Sequence, residues 1–138
     1  MKNLDLLAAE AAQKIIADTS AIPKARDVEN LVTKTLGVLQ ENGVYACLLF
    51  AYSRSKTEPG KTPNDEKKVA KVVHQNLLTV MNKALNKTAD TNANATVALK
   101  FLTDNICQDL DTLLLVKQLW EQTLIYARYG AKARSLTT

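Results

Sequence analysis

The stretch DEKKVAKVVHQNLLTVMNKALN, residues 65–86, decides the fold. Val69, Val72, Val73, Asn76, Leu77, Val80, Met81, Ala84 and Leu85 recur at steps of three and four, so they share one side of a helix. Lys67, Lys71, Gln75, Asn82 and Asn86 fall on the other side, with Lys68 beside them. A strand has a side-chain period of two and does not produce this spacing. Asn64 or Asp65 is suited to cap the helix start.

The same periodicity extends in both directions. Leu4, Leu7, Ala8, Ala11 and Ile15 predict a first helix over about 3–18, closed by Thr19-Ser20 and Pro23. Val28, Leu31, Val32, Thr35, Leu36 and Leu39 predict a second from about Lys24, stopped at Asn42-Gly43, where glycine tolerates a left-handed backbone. Val44–Tyr52 is apolar nearly all round and reads as a helix buried at the centre of a bundle. Ser53–Asn64, with Pro59-Gly60 and Pro63, reads as a loop, as does the Asn- and Thr-rich Thr88–Thr96. A short helix over about 95–105 turns Val97, Ala98, Phe101 and Leu102 inward. A last helix from Asp109 or Asp111 buries Leu113, Val116, Trp120, Leu124, Ala127 and Ala131. The expected architecture is all-α: a compact bundle of about six helices in a single domain.

Composition agrees. Only four glycines and three prolines interrupt 138 residues, and a chain this long buries a core without disulfides or metal. Cys47 and Cys107 are isolated in apolar segments and read as reduced thiols, which suits the cytoplasm. Met1–Leu7, broken by Lys2, Asn3 and Asp5, does not read as a secretory signal, and no apolar run reaches membrane-spanning length. The sequons at Asn86 and Asn94 carry little weight without such a signal.

The search for chemistry is mostly negative. His74 is the one histidine, and acid–base catalysis needs partners for it. One histidine and two distant cysteines do not make a metal site. Asp104, Asp109 and Asp111 read as a helix end and a helix start rather than as ligands. Gly60-Lys61-Thr62 resembles the end of a phosphate-binding loop, but Ser55 stands where the motif needs glycine and Pro63 breaks the helix that should follow. No catalytic residue and no cofactor is expected.

The basic residues remain. The net charge is +4 and the pI about 9.1. Arg54, Lys56, Lys61, Lys67, Lys68 and Lys71 fall within one loop and the helix after it, diluted by Glu58, Asp65 and Glu66. Arg128, Lys132 and Arg134 form a second cluster, or an extension of the first, near Tyr126 and Tyr129. A solvated surface and a phosphate-contacting patch both fit such spacing.

Asn42-Gly43-Val44, followed by Phe50 and Ser53-Arg54, resembles a motif of the small helical subunit of the type III-B CRISPR (Cmr) complex, an assembly that destroys RNA. Leu4–Ala12 is similar to that family's Ala-rich first helix. Leu115–Ala133, with Arg128-Tyr129-Gly130, is similar to its last. The chain departs from the family at Ile125, where an aromatic is usual, and at Leu49, where alanine is. The resemblance implies a non-catalytic subunit in the cytoplasm that stacks with further copies of itself. It implies contact with other Cmr subunits, with guide RNA and with target RNA, and none with a membrane. The residues expected to contact RNA, taken from the basic clusters, are Arg54, Lys56, Lys67, Lys68, Lys71, Arg128 and Lys132, with Arg54 and Arg128 foremost because they lie in the matched motifs. Two other readings stay open: the small subunit of the type III-A (Csm) complex, and a helical protein–protein adaptor without a nucleic-acid role.

Overall fold

The computed structural model describes residues 3–137, and these form six helices and no strand. In order they are α1 (Leu4–Asp18), α2 (Ala25–Asn42), α3 (Val44–Ser55), α4 (Asp65–Leu85), α5 (Ala95–Asn105) and α6 (Leu110–Thr137). The all-α bundle is therefore as expected. α4 packs against α1, α2, α3 and α6, and α6 lies along α1 and α2.

Helix starts follow local chemistry. Asn3, Asn64 and Asn94 each place a side-chain oxygen on an amide three residues ahead, at 3.0 to 3.1 Å. Each satisfies a donor that the first turn leaves without a partner. Asp109 does the same for α6, accepting from the Thr112 amide at 3.3 Å and from its hydroxyl. Asp104 instead pairs with Lys100 at 3.4 Å. The acids of this segment thus close one helix and open the next.

Gly43 joins α2 to α3 with φ 95° and ψ −172°, a region essentially restricted to glycine. One residue therefore serves as both the end of one helix and the start of another. Asn86 closes α4 at φ 54°, ψ 41°, the left-handed conformation that asparagine tolerates best among residues with a side chain.

The stripes read from the sequence mostly lie in the core. All six stripe residues of α2 are buried, as are Val116, Trp120, Leu124, Ala127 and Ala131 of α6. α3 is the correction. It is not buried all round: Tyr45 and Leu49 are 42% and 46% exposed. It packs mainly on α2, α4 and α5, so its outer face meets solvent despite its apolar composition. The central helix is α4. α3 also runs on to Ser55, which moves Arg54 from the expected loop into a last helical turn.

Candidate functional site

α4 presents a ridge to solvent along its length. Lys67, Lys71 and Gln75 follow one another at intervals of four and stand one above the next. The end of α3 rises on one side of this ridge, and the chain at 92–93 crosses it further along. Between them lies a groove of about 510 Å³. Lys67, Lys68 and Lys71 line one end, Tyr52, Ser55 and His74 its wall, and Gln75 with Asn92 the other end.

The crossing segment is held by side chains. The Asn82 amide exchanges two hydrogen bonds with the backbone of Ala89, at 2.9 and 3.0 Å. Gln75 Nε2 donates to Asn92 Oδ1 at 3.0 Å, and the Tyr52 hydroxyl donates to the Ala93 carbonyl at 2.9 Å. A loop rich in Asn and Thr is thereby fixed as a wall.

His74 is 5% exposed and stacks on Tyr52, with ring centroids 3.8 Å apart and planes 14° from parallel. Its Nε2 lies 3.2 Å from Ser55 Oγ. The Ser55 hydroxyl also reaches the Tyr52 carbonyl at 2.9 Å. Nδ1 is buried and without a hydrogen-bond partner. Such an orphan costs about 1–3 kcal/mol. Burial, reinforced by the charge of Lys71, pushes the imidazole pKa down to about 4, so the ring is neutral at pH 7. Burial, and secondarily Asp90, raises the Tyr52 phenol.

Lys67, in the first turn of α4, opposes a local preference. The positive end of a helix dipole disfavours nearby cations, by roughly 0.3–1 kcal/mol for an exposed group in the first turn. Asp65 and Glu66 precede it and offset part of this. Asp27, Asp65 and Glu66, together with Lys34, line a separate cleft of about 350 Å³ at the same helix start.

The remaining expected residues lie elsewhere. Arg54 is occupied: its guanidinium pairs with Glu66 at 3.2 Å and sits 5.0 Å from the centroid of the Phe50 ring. Lys56 is exposed between Ser55 and Thr57, which line the groove, but does not line it itself. Lys61 pairs with Glu58 at 2.9 Å. Arg128 and Lys132 are exposed on α6, and neither lines the groove. Arg134 does not extend a patch. Its guanidinium donates to the carbonyls of Thr19, Ser20 and Ile22 and ties the end of α6 to the turn after α1. Tyr126 is likewise structural, its hydroxyl bonded to Asp5, whereas Tyr129 is 65% exposed.

Sequence reasoning missed Tyr52, Ser55, Gln75 and Asn92 as parts of one site. The interval of four from Lys67 through Lys71 to Gln75 was the available signal. Nothing local announces that residues 92–93 fold over that ridge. Among the described residues, no group of three or more His, Cys, Asp or Glu is placed to hold a metal ion, and no helix is long and apolar enough to cross a membrane. Comparison with family models, with curated proteins and with solved structures returns no match.

Proposed function

We propose that this chain is a non-catalytic subunit that contacts the phosphate backbone of RNA, the small subunit of a cytoplasmic type III-B CRISPR effector complex. Its partners in this reading are the other Cmr subunits, further copies of itself, guide RNA and target RNA. The observation that carries it is the convergence of Lys67, Lys68 and Lys71 on one groove wall. Like charges gathered on one short stretch of helix, Lys67 and Lys71 at i and i+4 among them, repel one another, a local cost that a phosphate ligand offsets. The motif resemblance supplies the assembly, and the groove supplies the contact. Exposed Tyr45, Leu49, Leu110, Leu114 and Tyr129 supply apolar surface for neighbouring subunits.

Contacts of this kind are sequence-tolerant and salt-sensitive. Reversing Lys67, Lys68 and Lys71 together to glutamate is expected to reduce the slope of log K against log salt for target RNA on the assembled complex. At about 0.7 per phosphate on a single strand, three lost contacts flatten it by about 2. An unchanged slope removes the α4 lysines from the interface.

The exposed apolar residues on α3 and α6 also favour a second reading, a helical adaptor without nucleic-acid role. It predicts that this same triple variant assembles and binds RNA as the wild type does.

A further inference from the structure

We propose that the α3–α4 groove is a nucleotide pocket, with a phosphate on Lys67, Lys68 and Lys71 and a base edge on the amides of Gln75 and Asn92. The strand as source of that nucleotide rests on the RNA reading above; the pocket itself rests on four features of the groove.

Its charge is confined to one end. The lysines stand at one end and neutral amides at the other. Lys71 and Gln75 are one helical turn apart, about 6 Å along the axis. That is the scale on which a nucleotide separates its phosphate from its base. A surface that merely tracks a backbone has no need of such polarity.

Its volume, about 510 Å³, lies within the range of small-molecule pockets.

Its amide end is built to read an edge. The Gln75–Asn92 bond uses one donor and one acceptor. The Gln75 Oε1 acceptor and the Asn92 Nδ2 donor remain, the pair of functions that an amide presents to adenine N6 and N7. The bond also pre-positions both side chains, so little ordering is left for the ligand to impose.

Its wall is a pair of stacked rings. Tyr52 and His74 lie 3.8 Å apart, centroid to centroid, and both line the groove. Adenosine monophosphate is the simplest ligand that carries a phosphate and an adenine edge together.

The test titrates the full chain with adenosine monophosphate, uridine monophosphate, adenosine and inorganic phosphate. The His74 ring signals and the side-chain amides of Gln75 and Asn92 are followed by NMR, with a single-stranded oligoadenylate as a further arm. Adenosine monophosphate is expected to saturate and to move all three residues. Adenosine and phosphate alone should bind at least tenfold more weakly, and uridine monophosphate more weakly than its adenine counterpart. Gln75→Ala and Asn92→Ala, both at the protein surface, should erase the adenine preference. Lys67→Glu with Lys71→Glu should abolish nucleotide binding while the amide spectrum stays folded. Binding of adenosine monophosphate no tighter than inorganic phosphate, or with the two amides unmoved, overturns the pocket and leaves a bare anion contact, so the RNA reading survives. If the oligoadenylate also leaves every one of these signals in place, both ideas fail.

Discussion

Trp120 donates its indole N–H to the carbonyl of Leu77 at 2.9 Å, joining α6 to α4 across 43 residues of chain. Both side chains are fully buried. The bond fixes how the longest helix lies against the one that carries the groove. Trp120→Phe keeps most of the volume but removes this bond, while the Leu77 carbonyl keeps its partner within α4, and is expected to lose about 0.5–1.5 kcal/mol. Trp120→Ala also opens a cavity, and about 3–5 kcal/mol should go. Urea denaturation followed by far-UV circular dichroism reads both. A loss below 0.5 kcal/mol for the phenylalanine variant, on the order of a surface substitution, would show that the bond does not couple the two helices.

His74 makes stability depend on pH. Its folded-state pKa is about 4, against an ordinary value of 6.5. Below 6.5 the unfolded chain takes up a proton that the folded ring refuses until about pH 4. The unfolded state is therefore favoured as pH falls through that window, by on the order of 3 kcal/mol in total. His74→Phe preserves a ring against Tyr52 and removes the titration. The wild-type minus variant stability difference, taken from urea midpoints at pH 7 and pH 4.5, should shift in the variant's favour at the lower pH. A difference independent of pH contradicts a buried neutral imidazole.

Glu66 competes for Arg54. The pair is exposed on both sides, so it contributes little to stability. Its consequence is electrostatic. Glu66→Gln releases the guanidinium beside the α4 lysines and removes a negative charge from the same helix start. Under the proposed function, RNA affinity of the assembled complex should rise severalfold at low salt, with the gain fading as salt screens it. Stability should change by less than about 1 kcal/mol. Weaker binding would mean that Glu66 positions Arg54 for its ligand.

Gly130 lets α6 approach α1. A Cβ at this position would lie 3.0 Å from Ile16 Cγ1 and 3.4 Å from Cδ1. Ile16 is only half-buried, so its side chain can yield. Gly130→Ala gains about 0.5–1 kcal/mol of helix preference and spends it on this contact, leaving stability within about 1 kcal/mol of wild type. Gly130→Leu exceeds what Ile16 can accommodate and should cost about 1–3 kcal/mol. Ile16→Ala in the same chain should recover part of that loss, and a double-mutant cycle measures how much.

Cys47 and Cys107 should differ in reactivity. Cys47 is fully buried, and burial pushes its thiol up to about 12, leaving almost no thiolate at pH 8. Cys107 is half-buried, its thiol raised for the same reason but less enclosed. Timed alkylation read by mass spectrometry should label Cys107 first and Cys47 only as the chain unfolds. Equal rates would show that the α2–α3 contact opens readily.

Much of the bundle is legible along the chain because a helix is a local object. Its hydrogen bonds close four residues away, so a period of 3.6 in apolar residues and an asparagine ahead of it suffice. Residues 65–86 and the asparagines at 3, 64 and 94 carry that information. α3 is less legible. Its residues are apolar on every side, and composition does not say which side will find a neighbour, so Tyr45 and Leu49 were expected inside. The lysines of the candidate site were legible as a cluster. Their convergence was not, because the groove is closed by Asn92 and Ala93, reached through long-range bonds from Gln75 and Tyr52.

From its sequence alone this protein is a set of about six helices, most of them amphipathic, with a glycine stop at 43 and a modest positive charge. Only the tertiary structure decided which charges act together. Lys67, Lys68 and Lys71 came to line one groove, Arg54 paired with Glu66, and Arg134 became a clamp on the turn after α1. The physical reason is range. Helix formation is settled within a turn or two of chain, whereas electrostatic pairing and enclosure depend on which distant segments packing brings within a few ångströms.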